Sequence, residues 1–168
     1  MTATKIILKD KREMNIMLDE ENAPISCANF LRLVDDGFYE GLCFHRVIEN
    51  FMIQGGGFEW GAGLVDKASP YGAIKGEFAI NGVNNPIKHE VGVISMARTN
   101  VKDSATSQFF ICVADVPYLD GQYAAFGKTM DEESKQVAID ISTVPTGRWG
   151  WYDDVPRDPI VIDKIVRI

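Results

Sequence analysis

No run in this sequence is long and apolar enough to cross a bilayer. The longest unbroken apolar stretch, Phe109 to Ala114, has six residues, against roughly 20 for a spanning helix. The N-terminus offers only Ile6-Ile7-Leu8 as consecutive large apolar residues, too few for a signal-peptide core. Basic clusters are missing as well. Arg and Lys are scattered and the formal net charge is -7, which argues against a nucleic-acid backbone or an anionic membrane as the main partner. Cysteine is scarce: Cys27, Cys43 and Cys112 cannot all pair and show no CxxC spacing. They read as reduced thiols acting as small apolar residues in a cytosol-like compartment. With only two histidines beside them, a zinc site lacks ligands. The expectation is a soluble cytoplasmic protein with no metal and no cofactor, and 168 residues of ordinary composition suit a single domain, 1–168.

What is present reads mainly as strand. Lys5 to Lys9 and Glu13 to Leu18 flank a polar turn, Asp10-Lys11-Arg12, and predict a hairpin. Asn22-Ala23-Pro24 opens a helix, with Asn22 or a neighbour as the expected cap and proline suited to the first turn. Ala23, Cys27, Phe30, Leu31 and Val34 share its apolar face, and Gly37 ends it. Leu42 to Ile48 and Phe51 to Gln54 are the next strands. From Gly55 to about His89 glycine and turn signals dominate, so this stretch reads as long loops around short strands, one near Ile74 to Phe78. Val91 to Ala97, Gln108 to Val113 and Tyr123 to Lys128 are further strands. Gln108 to Val113 is apolar on both faces, which suggests core on one side and ligand on the other. Asp131 to Ile141 predicts a second helix with acidic residues at its start. Thr143 to Pro159 reads as irregular and Ile160 to Ile168 as a last strand. About eight strands and two helices suggest a mainly β fold, a closed antiparallel barrel.

One stretch, Phe44 to Phe58, sets a physical problem. Arg46 and Gln54 sit among aromatic and aliphatic residues, and a buried polar group needs a partner while a buried charge needs more. They therefore lie either on a solvent face or in a site. Other motifs come close to known chemistry and miss. Gly121 to Thr129 resembles a phosphate loop but has five residues between its glycines rather than four, which spoils the amide cradle. His89-Glu90 begins like a zinc-protease motif, yet Val93 stands where the second histidine belongs. Gly55-Gly56-Gly57 could form an anion nest, but reads better as a strand end needing unusual angles or close approach. Ser104 or Ser107 paired with His45 or His89 lacks any nucleophile-elbow pattern.

The blocks Phe44-His45-Arg46, Phe51-Met52-Ile53-Gln54-Gly55-Gly56, Ser95-Met96-Ala97-Arg98-Thr99, Ser107-Gln108-Phe109-Phe110-Ile111, Tyr118-Leu119-Asp120-Gly121 and Phe126-Gly127-Lys128, in this order and spacing, resemble the cyclophilin family of peptidyl-prolyl cis-trans isomerases. The resemblance runs from about Ile6 to the last strand. It implies a closed eight-stranded antiparallel β-barrel capped by two α-helices, with the site on its outer wall. It implies Arg46 as the catalytic residue and Phe51, Met52, Phe110 and Leu119 as the proline pocket. Gln54 and Gln108 would be polar supports, Ala97 and Arg98 backbone contacts, and His45, Tyr118 and Tyr123 further substrate contacts. The implied partners are proline-containing peptides and unfolded or folding clients, met by a monomer.

The sequence also departs from the family pattern, and Arg98 with Thr99 and the run Lys102-Asp103-Ser104-Ala105-Thr106 resembles its bacterial branch. Tyr118 stands where many eukaryotic members have tryptophan, Tyr123 where they have histidine, and Arg98 where they have asparagine. The family's inhibitor cyclosporin contacts that tryptophan, so weakened cyclosporin binding is expected. The alternative class is a proline-peptide binding module or chaperone with little catalysis; a hydrolase is a third. Gly147 to Tyr152 has no assigned role.

Overall fold

A computed structural model describes residues 1–168. The first hairpin forms as its pattern predicts, from β1 (Thr2–Leu8) and β2 (Glu13–Leu18). Its turn is closed by the Asp10 carboxylate, which accepts from the Arg12 backbone N–H at 3.0 Å and from the Arg12 guanidinium. Helix α1 (Pro24–Asp35) follows. It ends as expected: Gly37 takes φ +67°, its N–H donates to Val34 C=O, and the Phe38 N–H donates to Leu33 C=O, the two reverse bonds of a glycine-terminated helix. Its start differs from expectation. Ala23 occupies the cap position without a side-chain bond, and Asn22 turns back to Asp19. The cap comes instead from Glu77, whose carboxylate accepts from the Ile25 and Ser26 N–H groups and the Ser26 hydroxyl at 2.6–3.1 Å.

Strand β3 (Leu42–Ile48) pairs with β4, which spans Met52–Gly61 rather than stopping at Gln54. The glycine triplet is strand, and β4 continues into a short hairpin with β5 (Gly63–Asp66). Glycine is required inside it because neighbours press close: a Cβ on Gly55 would meet Cys43 O at 2.8 Å, and one on Gly57 would lie 2.5 Å from the Gln108 side chain. Ile74 to Phe78 is not a strand; Ile74 makes one isolated bridge, to Ala105. Then come β6 (Val93–Met96), β7 (Phe109–Cys112), a 3₁₀ turn at Pro117–Leu119, β8 (Ala125–Thr129) and α2 (Glu132–Ser142). Asp131 caps α2 by accepting from Ser134 N–H at 2.7 Å. Thr143 to Pro159 is more ordered than its prolines suggest. It holds a separate hairpin, β9 (Thr146–Trp149) and β10 (Tyr152–Pro156), turned at Gly150 with φ +57°. The last strand is β11 (Ile162–Arg167).

The main sheet runs β11-β1-β2-β8-β6-β7-β4-β3, all antiparallel. Its ends meet through one Cys43–Val161 bridge and bonds such as Phe44 N–H to Ile160 C=O at 3.0 Å. The eight-stranded barrel is thus nearly closed rather than closed, and three further strands lie off it. Its interior is aromatic: Phe30 from α1 meets Tyr39, Phe109 and Phe126 at 5.3–5.7 Å between ring centres. Ala138 and Ile141 bury the inner face of α2. No helix is long and apolar enough to cross a membrane.

Candidate active site

Alternation along the strands puts two sets of side chains on opposite faces. Val47, Ile53, Ile94, Phe109 and Ile111 point into the barrel core. The outward set forms a row across four strands: Arg46 on β3 faces Gln54 on β4, Gln54 faces Phe110 on β7, and Phe110 faces Ser95 on β6. One step along, Ile48, Met52 and Cys112 form a second row. Met52, Phe110 and Cys112 join Val116 and Leu119 in a second, smaller apolar cluster outside the barrel. Both faces of Gln108 to Val113 thus carry apolar side chains, the barrel core inside and this cluster outside, where it forms the floor of a cavity.

That cavity, of about 180 Å³, is lined by Arg46, Phe51, Met52, Gln54, Ala97, Arg98, Phe110, Leu119 and Tyr123. Nine of the twelve site residues expected from sequence thus meet in one place. Arg46 is half-buried, and its Nη1 donates to Gln54 Oε1 at 3.4 Å; Gln54 Nε2 donates to Gln108 Oε1 at 2.9 Å. This relay keeps the guanidinium over the apolar floor. Arg98 is folded back, with Nε and Nη2 both donating to Gln122 C=O and its guanidinium lying over the Tyr123 and Phe78 rings. It props the wall that carries Tyr123, whose ring meets Phe110 edge-on at 5.8 Å. Ala97 uses its N–H on Gln108 C=O.

The other three residues lie elsewhere. Gln108 borders an adjoining polar cavity of about 170 Å³, shared with Gln54, Ala97 and Arg98 and completed by Thr99, Ser104 and Thr106. Tyr118 is 67% exposed and stands at the rim, 6.2 Å from the Phe51 ring. His45 is not in the cavity: a bulge in β3 sends its ring under the β9–β10 hairpin, against Phe58 at 4.6 Å and Tyr152 at 6.4 Å. His89, which the sequence offers only as a failed zinc-protease or hydrolase residue, and Asp120 lie behind the cavity floor. Their pairing is not written in a local pattern: Asp120 is 31 residues from His89, and Ser95, six residues on, comes within reach through the strand β6.

His45 is 4% exposed and its Nδ1 has no partner. Burial, with the neighbouring Arg46 charge, lowers its pKa to about 4 from an unfolded value near 6.5. A base whose folded pKa is depressed binds more protons unfolded than folded between those values, so stability falls as pH drops from about 6.5 to about 4. Burial lowers His89 too. The carboxylates of Asp10, Asp35, Asp103 and Asp131 are held below their ordinary value by hydrogen bonds and nearby cations, so their contribution begins to be lost only below about pH 5. Urea midpoints measured from pH 7.5 to 4 are expected to decline, and His45→Phe to flatten that decline in part. An unchanged slope would remove His45 as its source.

Gly57 offers a second check. A methyl there collides with Cγ, Cδ and Nε2 of Gln108 at 2.5–2.6 Å, so the glutamine must leave and Gln54 loses its partner. Gly57→Ala is expected to cost about 1 kcal/mol of turnover, several-fold in kcat/KM. In a Gln108→Ala background it should add little, since the two changes act on one contact. Additive losses would separate Gly57 from the relay.

The family model for cyclophilin type peptidyl-prolyl cis-trans isomerases/CLD matches residues 4–167. Among curated relatives, peptidyl-prolyl cis-trans isomerase A of Dickeya dadantii is 44% identical over 99% of this chain and 86% of its own length. The peptidyl-prolyl cis-trans isomerase of Acinetobacter baylyi is 46% identical over 90% and 78%, and isomerase B of Escherichia coli 39% over 87% and 88%. A Cryptosporidium parvum cyclophilin type isomerase superposes with a TM-score of 0.82 at 28% identity, covering 99% of this chain and 97% of that one. A structure of the same protein in the presence of the dipeptide Ala-Pro gives 0.81 at 29% identity, covering 99% and 98%.

Proposed function

The chain belongs to the cyclophilin-type peptidyl-prolyl cis-trans isomerases, and we propose that it turns Xaa-Pro bonds by holding the proline ring in the outer cavity under the Arg46 guanidinium. The reading takes 1–168 as a single isomerase domain. The observation that carries it is the row Arg46–Gln54–Phe110: a fixed cation at one end and an apolar floor at the other.

The uncatalysed bond turns over in tens of seconds because amide resonance sets a barrier of about 20 kcal/mol. No covalent bond breaks. In the twisted transition state the prolyl nitrogen becomes pyramidal and gains a lone pair, and a donor aimed at it favours that state over either planar isomer. Arg46 can donate and stays charged at ordinary pH. Phe51, Met52, Phe110 and Leu119 hold the ring while the rest of the peptide rotates. A ~10⁵-fold acceleration needs about 7 kcal/mol of differential stabilisation, the order that a charged donor and further dipoles supply in a partly dry site.

On this reading the clients are proline-containing peptides and folding chains. Tyr118 at the rim, in place of the tryptophan that cyclosporin contacts in other members, supports weakened cyclosporin binding. A protease-coupled assay on Xaa-Pro peptides, run beside a binding titration, tests the reading. Acceleration with saturable binding is expected. Binding without acceleration would instead favour a proline-peptide binding module or chaperone.

A further inference from the structure

His89 is 1% exposed and touches three parts of the site from behind. Its ring lies nearly parallel to Phe110, with centres 6.0 Å apart and planes at 16°. Its Nε2 is 2.9 Å from Ser95 Oγ, at the far end of the row that begins with Arg46. Its Nδ1 is 3.0 Å from Asp120 Oδ1, and the same oxygen accepts the His89 backbone N–H at 2.7 Å. The His89 C=O accepts from Val116 N–H at 2.9 Å. Val116 and Asp120 bracket the 3₁₀ turn that brings Leu119 to the cavity wall. That Asp120 oxygen already accepts the His89 backbone N–H, so Nδ1 donates to it and Nε2 receives the Ser95 hydroxyl. The atoms follow the order of a nucleophilic triad, but Ser95 is 0% exposed beneath Phe110. No substrate reaches it, and the arrangement is a tether rather than a hydrolase centre.

We infer that His89 is a positioning residue of the proline pocket, stacking on Phe110 and tying Ser95 on β6 to the Asp120 end of the turn that carries Leu119. This rests on the reading of the cavity as the proline site. Backbone bonds and the Arg98–Gln122 contact also tie the wall in place; the His89 side chain adds a link from the wall to Phe110 and Ser95. Two directional bonds and one stacked ring hold them in register, as a supporting layer does for a preorganised site.

The test is His89→Phe, which keeps a flat ring against Phe110 and removes both side-chain bonds. KM for a Xaa-Pro tetrapeptide is expected to rise about tenfold with kcat changed less than twofold, measured on folded protein well below its Tm. A purely structural role would lower Tm and leave KM alone, and that result overturns the inference. If the variant does not fold, Ser95→Ala removes one anchor in a smaller step. It should raise KM at least threefold, and an unchanged KM overturns the inference equally. Imidazole ¹⁵N shifts of the unaltered protein should show the proton on Nδ1; a proton on Nε2 would break the assigned chain. Arg46→Ala in parallel separates the two readings. If it leaves turnover intact, the proline-site reading fails. If it lowers turnover while His89→Phe leaves KM unchanged, only the positioning role fails.

Discussion

Arg46→Ala is expected to lower kcat/KM for a Xaa-Pro peptide about a hundredfold, while far-UV circular dichroism and Tm stay close to the parent's. The size follows from the role proposed for the guanidinium. Removing one preorganised charged donor from a partly dry site costs about 3 kcal/mol of transition-state stabilisation. The remainder of the acceleration stays with the apolar pocket and with backbone dipoles. The fold should survive because Arg46 is half-buried and makes a single long bond, to Gln54. Arg46→Lys is the sharper variant. It keeps the charge but loses the planar fork that Gln54 orients, so it should recover only part of the loss. Full recovery by lysine would mean that charge alone matters and that the Gln54–Gln108 relay is incidental. No loss in the alanine variant would sink the mechanism.

How much of this was legible beforehand follows from the range of the forces involved. Strand alternation is a local property, so the outward set Arg46, Gln54 and Phe110 could be read from periods of two. The first hairpin, the apolar face of α1 and its Gly37 terminus are local too, and they fold as read. The misplaced features depend on distant chain. For Gly55 to Gly57 the close approach and unusual angle hold, since Cys43 and Gln108 leave no room for side chains and Gly56 has φ +89°, but the strand end does not: β4 runs through all three. His45 looked like a site residue beside Arg46, but a bulge redirects it under a hairpin about a hundred residues later. That hairpin was hidden by three prolines and by strands of only four and five residues. His89 matched only motifs that failed, because Ser95 and Asp120 become its partners only once β6 and the 3₁₀ turn are in place.

The cap of α1 is another of these distant effects, and it carries the largest expected loss of stability. Glu77→Ala should lower the stability of the fold by about 3 kcal/mol and Tm by about 6–12 °C. Glu77 is 2% exposed and Ser26 0%. Removing the carboxylate leaves the Ile25 and Ser26 amides and the Ser26 hydroxyl without acceptors at a helix N-terminus. There the helix dipole also favours negative charge. Neither Ala23 nor Asn22 can take over, the first having no acceptor and the second being held by Asp19. Glu77→Gln keeps one acceptor oxygen without the charge and should fall between the two. The damage should also reach the site. Glu77 anchors the segment whose next residue, Phe78, lies 4.8 Å under the Arg98 guanidinium, and Arg98 in turn holds Gln122 C=O beside Tyr123. Thermal unfolding followed by circular dichroism, with kcat/KM measured well below the transition, separates the two consequences. A Tm within about 2 °C of the parent's would show that α1 is held by its apolar face alone.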